Sequence, residues 1–128
     1  MNKDYKPTVV FDFDGVIHSY KSGWKGIDII PDPPVKGIKE LIDELRKEFN
    51  IVIVSTRCST NEGILAVNKY LRKYDINVDK VQMDKPPAIC YVDDRAIKFD
   101  PKNISILFDE IKGFKNWIER EKEEQWVR

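Results

Sequence analysis

The sequence is poor in the residues and patterns that mark specialised architectures. Among 128 residues there are two cysteines, Cys58 and Cys90, and one histidine, His18. Two thiols so irregularly placed supply neither a disulfide framework nor a zinc site. No apolar run approaches the roughly 18–20 residues that span a bilayer. The opening MNKDYKPTVV lacks the long apolar stretch of a secretory leader. Charge of one sign is not in excess either, since Lys+Arg and Asp+Glu both total 22. That balance argues against a general basic nucleic-acid surface, though not against a local basic groove. Internal repeats, low-complexity tracts and long linkers are missing too. What remains is the expectation of a single cytoplasmic domain over residues 1–128. Its 41% apolar content is enough for one core, and its 34% charged content keeps the rest solvated.

Runs of apolar residues without alternation are present. Val9–Phe11, Ile51–Val54 and Ala88–Val92 read as strands buried on both faces, the pattern of a parallel sheet covered by helices. Pro33 and Pro34 lead into a predicted helix that runs to about Phe49. Its apolar face is Val35, Ile38, Leu41, Ile42, Leu45 and Phe49. Ser59 with Glu62 predicts a capping box for a second helix, with Ile64, Val67, Leu71 and Tyr74 on one side. Val78–Met83 and Ile97–Phe99 read as further short strands. The tail from about Asp109 reads as a helix with Ile111, Phe114, Trp117 and Ile118 inward and EREKEE outward. Gly113 weakens that helix by up to ~1 kcal/mol relative to alanine. Strands alternating with helices imply right-handed βαβ units. The predicted fold class is therefore α/β, a small three-layer Rossmann-like domain with a mainly parallel sheet.

In such sheets ligands bind beyond the carboxyl ends of the strands. The first strand runs straight into Asp12 and Asp14, in FDFDG. The second ends in Ser55, Thr56 and Arg57, and a later one ends in Asp93, Asp94 and Arg95. If the strands are parallel, these groups meet at one edge. Two like charges at 4 Å repel by about 4 kcal/mol at an effective dielectric near 20. Several carboxylates in one pocket need a cation to stay ionised together. An all-oxygen ligand set favours Mg²⁺ over zinc, and Mg²⁺ usually pairs one or two carboxylates with a substrate phosphate. Phosphoryl transfer follows as the expected chemistry. One aspartate can act as nucleophile, and a second two residues on can act as general acid and base. A hydroxyl, a backbone N–H and a lysine can hold the transferred group.

These residues resemble the haloacid dehalogenase superfamily. FDFDGV is similar to its first motif and IVIVS to its second. Lys85 in DKPPA stands where a third-motif lysine is expected, and ICYVDD is similar to the acidic fourth motif. The four occur in the family's order between residues 9 and 94. The resemblance implies Asp12 as nucleophile and metal ligand, and Asp14 as general acid/base binding metal through its backbone carbonyl. It implies Ser55 and Lys85 around the phosphoryl group, and Asp93 with Asp94 on Mg²⁺. Thr56 and Arg57, at the same strand end as Ser55, are further phosphate-binding candidates from their position. Aspartate at both positions of the first motif points to a phosphatase. The insertion points leave no room for a cap domain, as in the small uncapped members, some of them phage-borne, with similar SGWKG, KPPA and DDRAI segments. The partner implied is a phosphorylated small molecule or a nucleic-acid end, with no membrane and no general DNA-binding surface. Oligomerisation stays open.

Several residues have a second reading. Lys80 rivals Lys85 as the phosphate-binding lysine. Arg57 and Arg95 either face phosphate or form surface ion pairs. Trp24, in a loop between two glycines, either packs on the sheet edge or stacks on a base or sugar. His18 and Cys58 receive no role. The rival functions are a non-catalytic phosphate- or partner-binding module and, third, a receiver-type signalling domain. In a receiver the acidic pair comes first in the chain, whereas here the adjacent pair comes last.

Overall fold

Val9, Val10 and Phe11 belong to a strand whose interior has almost no solvent exposure on either face, as the unalternating run requires. In the computed structural model residues 5–127 are described, with side chains described as far as residue 124. Met1–Asp4, part of the stretch read for a leader, lie outside the described residues. Four strands form one all-parallel sheet: β1 (Thr8–Asp12), β2 (Asn50–Val54), β3 (Lys80–Gln82) and β4 (Cys90–Val92). The spatial order is β3-β2-β1-β4. Among the described residues there are four α-helices: α1 (Ile38–Leu45), α2 (Asn61–Lys73), α3 (Ile104–Lys112) and α4 (Trp117–Val127). The element types and sheet order are those of a Rossmann-like three-layer α/β fold, as predicted. By contacts the chain divides into two compact units, Met1–Asp93 and Asp94–Arg128.

In the first unit the chain winds outward from β1 through α1 to β2 and through α2 to β3, and both helices cover the same sheet face. Val9, Phe11, Ile51 and Ile53 meet Ile38 and Ile42 of α1 and Val67, Tyr70 and Leu71 of α2. Each such side chain, fully buried, contributes about 1.5–3 kcal/mol. The chain then reverses across the sheet to β4. Ala88, in that crossing segment, packs on Val10, Val52 and Val54 of the opposite face. Strand order therefore reverses between β1 and β4, which is where ligands bind in open α/β sheets. Residues 15–37 hold no helix or strand, and residues 57–79 are filled by a 3₁₀ turn at Thr56–Ser59 and by α2. No folded cap interrupts either segment.

Several local expectations are revised. The first helix begins at Ile38, later than predicted, because Gly37 adopts a φ of 87° at its start. It ends at Leu45, and Arg46–Phe49 continue as turns. Leu41 is 48% exposed, since at eight residues the helix buries only Ile38 and Ile42 fully. The cap of α2 is Thr60 rather than Ser59. Its hydroxyl accepts from the Gly63 N–H at 3.1 Å, and the third helical position is therefore Gly63, not Glu62. Glycine is required there: a Cβ would come within 1.7 Å of the Arg57 carbonyl oxygen. Ile97–Phe99 is not a strand, and Phe99 is 62% exposed.

The second unit also departs from one continuous tail helix. Gly113 closes α3, and α4 restarts after Asn116. Asn116 and Glu119 form a reciprocal capping box: each backbone N–H donates to the other's side chain, at 3.2 and 2.9 Å. Ile118 is buried, whereas Ile111 and Phe114 are exposed, against expectation. Residues 119–124 are exposed as predicted.

Asp79 ties the start of β2 to α1. Its carboxylate accepts from the Ile51 N–H at 2.7 Å and from Arg46 at 3.1 Å. Burial pushes its pKa upward, but the Ile51 and Arg46 hydrogen bonds outweigh it and hold the pKa below the ordinary 3.8. A depressed folded-state pKa gives stability that is fully present above the unfolded-state value and lost as pH falls through the folded one. The stability difference between the wild-type protein and Asp79→Asn is thus expected to be largest above about pH 5 and to shrink steadily towards pH 3. Urea unfolding at a series of pH values measures this. A difference that does not vary with pH would show that the charge plays no part.

Candidate active site

Parallel register carries the strand tips to one edge. Asp12 aligns with Val54, so Ser55 lies just beyond on the neighbouring strand. Phe11 aligns with Val92, which sets Asp93 next to Asp12 on the other side. Asp12, Asp93 and Asp94 each offer a carboxylate oxygen, all within 4.8 Å of one another. Asp94 enters the group as the chain neighbour of Asp93, at the residue where the second unit begins. All three are half-buried. Their mutual repulsion grows as water is excluded, and a hard divalent cation relieves it. This all-oxygen donor set suits such an ion, with Mg²⁺ one candidate.

Asp14 belongs to a different network. The chain turns sharply after β1: the Phe13 carbonyl accepts from the N–H groups of Val16, Ile17 and His18, and Gly15 sits at φ 87°. The turn places His18, fully buried, with Nδ1 2.8 Å from Asp14 Oδ1. His18 Nε2 accepts from the Asp32 N–H at 3.1 Å, so the proton lies on Nδ1 and is donated to Asp14. The other Asp14 oxygen accepts from Arg57 Nε at 2.8 Å.

Arg57 has no solvent-exposed surface. Its Nη1 donates to the carbonyls of Gly26, Ile27 and Ile29 at 2.7, 3.0 and 3.3 Å. Its guanidinium carbon lies 4.5 Å from the centre of the Trp24 ring. The arginine thus joins the end of β2, Asp14 and the 24–29 loop. Backbone bonds close the base of that loop, from Ser19 N–H to Pro33 and from Val35 N–H to Ile17. Within it, the Asp32 carboxylate accepts from the Ser22 N–H and hydroxyl, at 2.8 and 2.5 Å. Burial raises the Asp32 pKa, and the two Ser22 bonds, helped by neighbouring cationic groups, more than reverse this, leaving it below 3.8. The Asp32 carbonyl accepts from the Tyr70 hydroxyl at 2.9 Å, and burial drives that phenol's pKa well up.

The other predicted positions are as follows. Ser55 is buried, and its hydroxyl oxygen accepts from the Arg57 N–H at 3.1 Å, capping the 3₁₀ turn. Thr56 is exposed at the start of that turn. Lys85 is exposed in the crossing segment, its Nζ 5.6 Å from the Tyr91 ring of β4. Lys80 opens β3, aligned with Val52, and so lies towards the amino end of the sheet, away from the acidic tips. Arg95 belongs to the second unit, where it lines a cavity of about 440 Å³ with Ile97, Phe99, Leu107, Ile111 and Phe114. His18 and Asp32, given no role from sequence, prove central. The available signal was a histidine four residues after an aspartate across a glycine turn.

Fold and site together define an α/β protein with an all-parallel sheet and an acidic cluster at its topological switch point. No protein-family model matches the chain, and no curated protein does. Two solved structures are similar to it. An MCSG target from Vibrio cholerae aligns at a TM-score of 0.49 and 21% identity, over 82% of this chain and 98% of that one. A chain of a Pnkp1/Rnl/Hen1 complex aligns at 0.49 and 17%, over 87% of this chain but only 37% of its own length. These likenesses concern the path of the chain and transfer no chemistry.

Removing one partner of a buried ion pair strands the other charge, at a cost of about 3–5 kcal/mol. Arg57→Met is expected to fall in that range, because three loop carbonyls lose their donor as well. Adding Asp14→Asn is expected to recover part of the loss. Denaturant melts of the two single variants and the double variant test this. Strict additivity would mean the pair is not coupled.

Proposed function

We propose that the chain is a metal-dependent phosphomonoester hydrolase of the haloacid dehalogenase type, working through an aspartyl-phosphate. The observation that carries this reading is the meeting of Asp12, Asp93 and Asp94 within 4.8 Å at the switch point. The ordered motifs from FDFDG to YVDD support it.

In this reading the Asp12 carboxylate attacks phosphorus, forming an O–P bond as the bond to the leaving oxygen breaks. Asp14, oriented by His18 and Arg57, gives a proton to the leaving oxygen. It then takes one from the water that cleaves the aspartyl-phosphate, which releases inorganic phosphate and restores Asp12. Ser55, Thr56 and Lys85 hold the phosphoryl oxygens. Asp12, Asp93, Asp94 and the Asp14 carbonyl would hold the cation, Mg²⁺, which offsets the phosphoryl charge. Arg57 acts from behind, holding Asp14 rather than the phosphate, since its surface is wholly buried. Lys85 is preferred to Lys80 because of the latter's place near the amino end of β3. The proposed substrates are nucleotides or phosphorylated nucleic-acid ends.

One observation favours a non-catalytic phosphate-binding module instead. Both Asp14 oxygens already accept hydrogen bonds from within the chain, from His18 and Arg57, so the carboxylate is engaged in holding the fold. Hydrolysis of an aryl phosphate separates the two readings. It is expected with Mg²⁺, absent with EDTA, and reduced at least about 10³-fold in Asp12→Asn with unfolding unchanged. Full activity of the asparagine variant would rule out the aspartyl-phosphate. No activity from folded wild-type protein with Mg²⁺ would favour the binding module.

A further inference from the structure

Trp24 lies in the 19–33 loop and has no part in the reaction above. It is 52% exposed, and one ring face lies over the Arg57 guanidinium, 4.5 Å from the ring centre. The guanidinium itself is immobilised by Asp14 and three loop carbonyls. Gly23 and Gly26 flank the residue at φ 74° and 139°, conformations that let the loop turn on both sides of the indole. A large aromatic side chain is thus held out towards solvent on a rigid cationic backing. One face packs over the wholly buried arginine, and the rest of the ring is left to solvent. The same arginine that backs the ring also binds Asp14, so the indole stands one guanidinium away from the second carboxylate of the site.

We propose that Trp24 forms a stacking subsite for a nucleobase, so that the phosphate processed at Asp12 is carried by a nucleoside. The inference rests on the phosphatase reading for its phosphate site and adds the residue that holds the base. A planar base needs a planar partner whose orientation is already set, and the fixed ring supplies it at little ordering cost. Cation–π contact with Arg57 fixes the inner face of the indole. Stacking is tolerant of base identity, so the subsite selects nucleosides over sugars rather than one base over another.

Calorimetric titration of Asp12→Asn protein in Mg²⁺ with adenosine 5′-monophosphate and with ribose 5-phosphate tests this. The nucleotide is expected to bind about five- to a hundredfold more tightly. Trp24→Ala is expected to abolish that preference, and Trp24→Phe to retain most of it. A 5′-phosphorylated trinucleotide run alongside distinguishes a free nucleotide from a strand end as the source of the base. Equal affinity for the two phosphates, no binding of the nucleotide, or a preference that survives Trp24→Ala would each overturn the proposal. The readout is binding, so it fails separately from the hydrolysis reading. Base preference without turnover leaves the subsite standing, and turnover without base preference removes the subsite alone.

Discussion

A guanidinium with no contact with solvent organises the acidic end of the first unit. Arg57 lies just past β2, yet its bonds reach the turn after β1 and three carbonyls of the 24–29 loop. A charge so enclosed needs an anion beside it and acceptors for its donors; Nε and Nη1 have them, while the buried Nη2 has none. Asp14 is that anion. With the pair formed, the 24–29 loop has an anchor for three of its carbonyls and Trp24 has a surface to lie on. If the pair were broken, a buried charge would be stranded and the loop would lose its anchor.

Parallel register supplies the second constraint. Because β1, β2 and β4 all point the same way, their last residues arrive at one edge together. Asp12, Ser55 and Asp93 need no further device to become neighbours. The price is electrostatic: three carboxylates within 4.8 Å oppose one another at the very place where the sheet leaves a crevice. The donor set could hold a metal ion, and that links the fold's topology to the proposed chemistry.

The two aspartates of the FDFDG segment look equivalent in sequence and are separated by structure. Asp12 ends a strand and joins the acidic cluster. Asp14, past the pleat, faces His18 and Arg57. Alternation along an extended chain sends neighbours two apart to the same face, but the turn at Gly15 begins before that pattern is complete. The arginine after the second strand shows the same limit. From composition it suited a phosphate, and it proves wholly enclosed, because whether a long side chain turns in or out depends on where an acceptor stands 43 residues away in the chain.

Apolar runs, their spacing and the residues at their ends were enough to read a parallel α/β sheet, the strands β1, β2 and β4, the helix α2 and the acidic tips. For β1 and β2 these follow from burial on both faces, which sequence records directly, whereas β4 forms as a strand although Cys90, Tyr91 and Val92 are all exposed, against expectation. The length of α1, the break at Gly113, the exposure of Leu41, Ile111 and Phe114, and the loss of a strand at Ile97–Phe99 were not legible. Each depends on which surface another segment covers, and periodicity does not record that. Tertiary structure alone decided the pairing of Asp14 with Arg57, since a hydrogen bond between residues 43 apart in the chain exists only after the sheet has brought them within 3 Å.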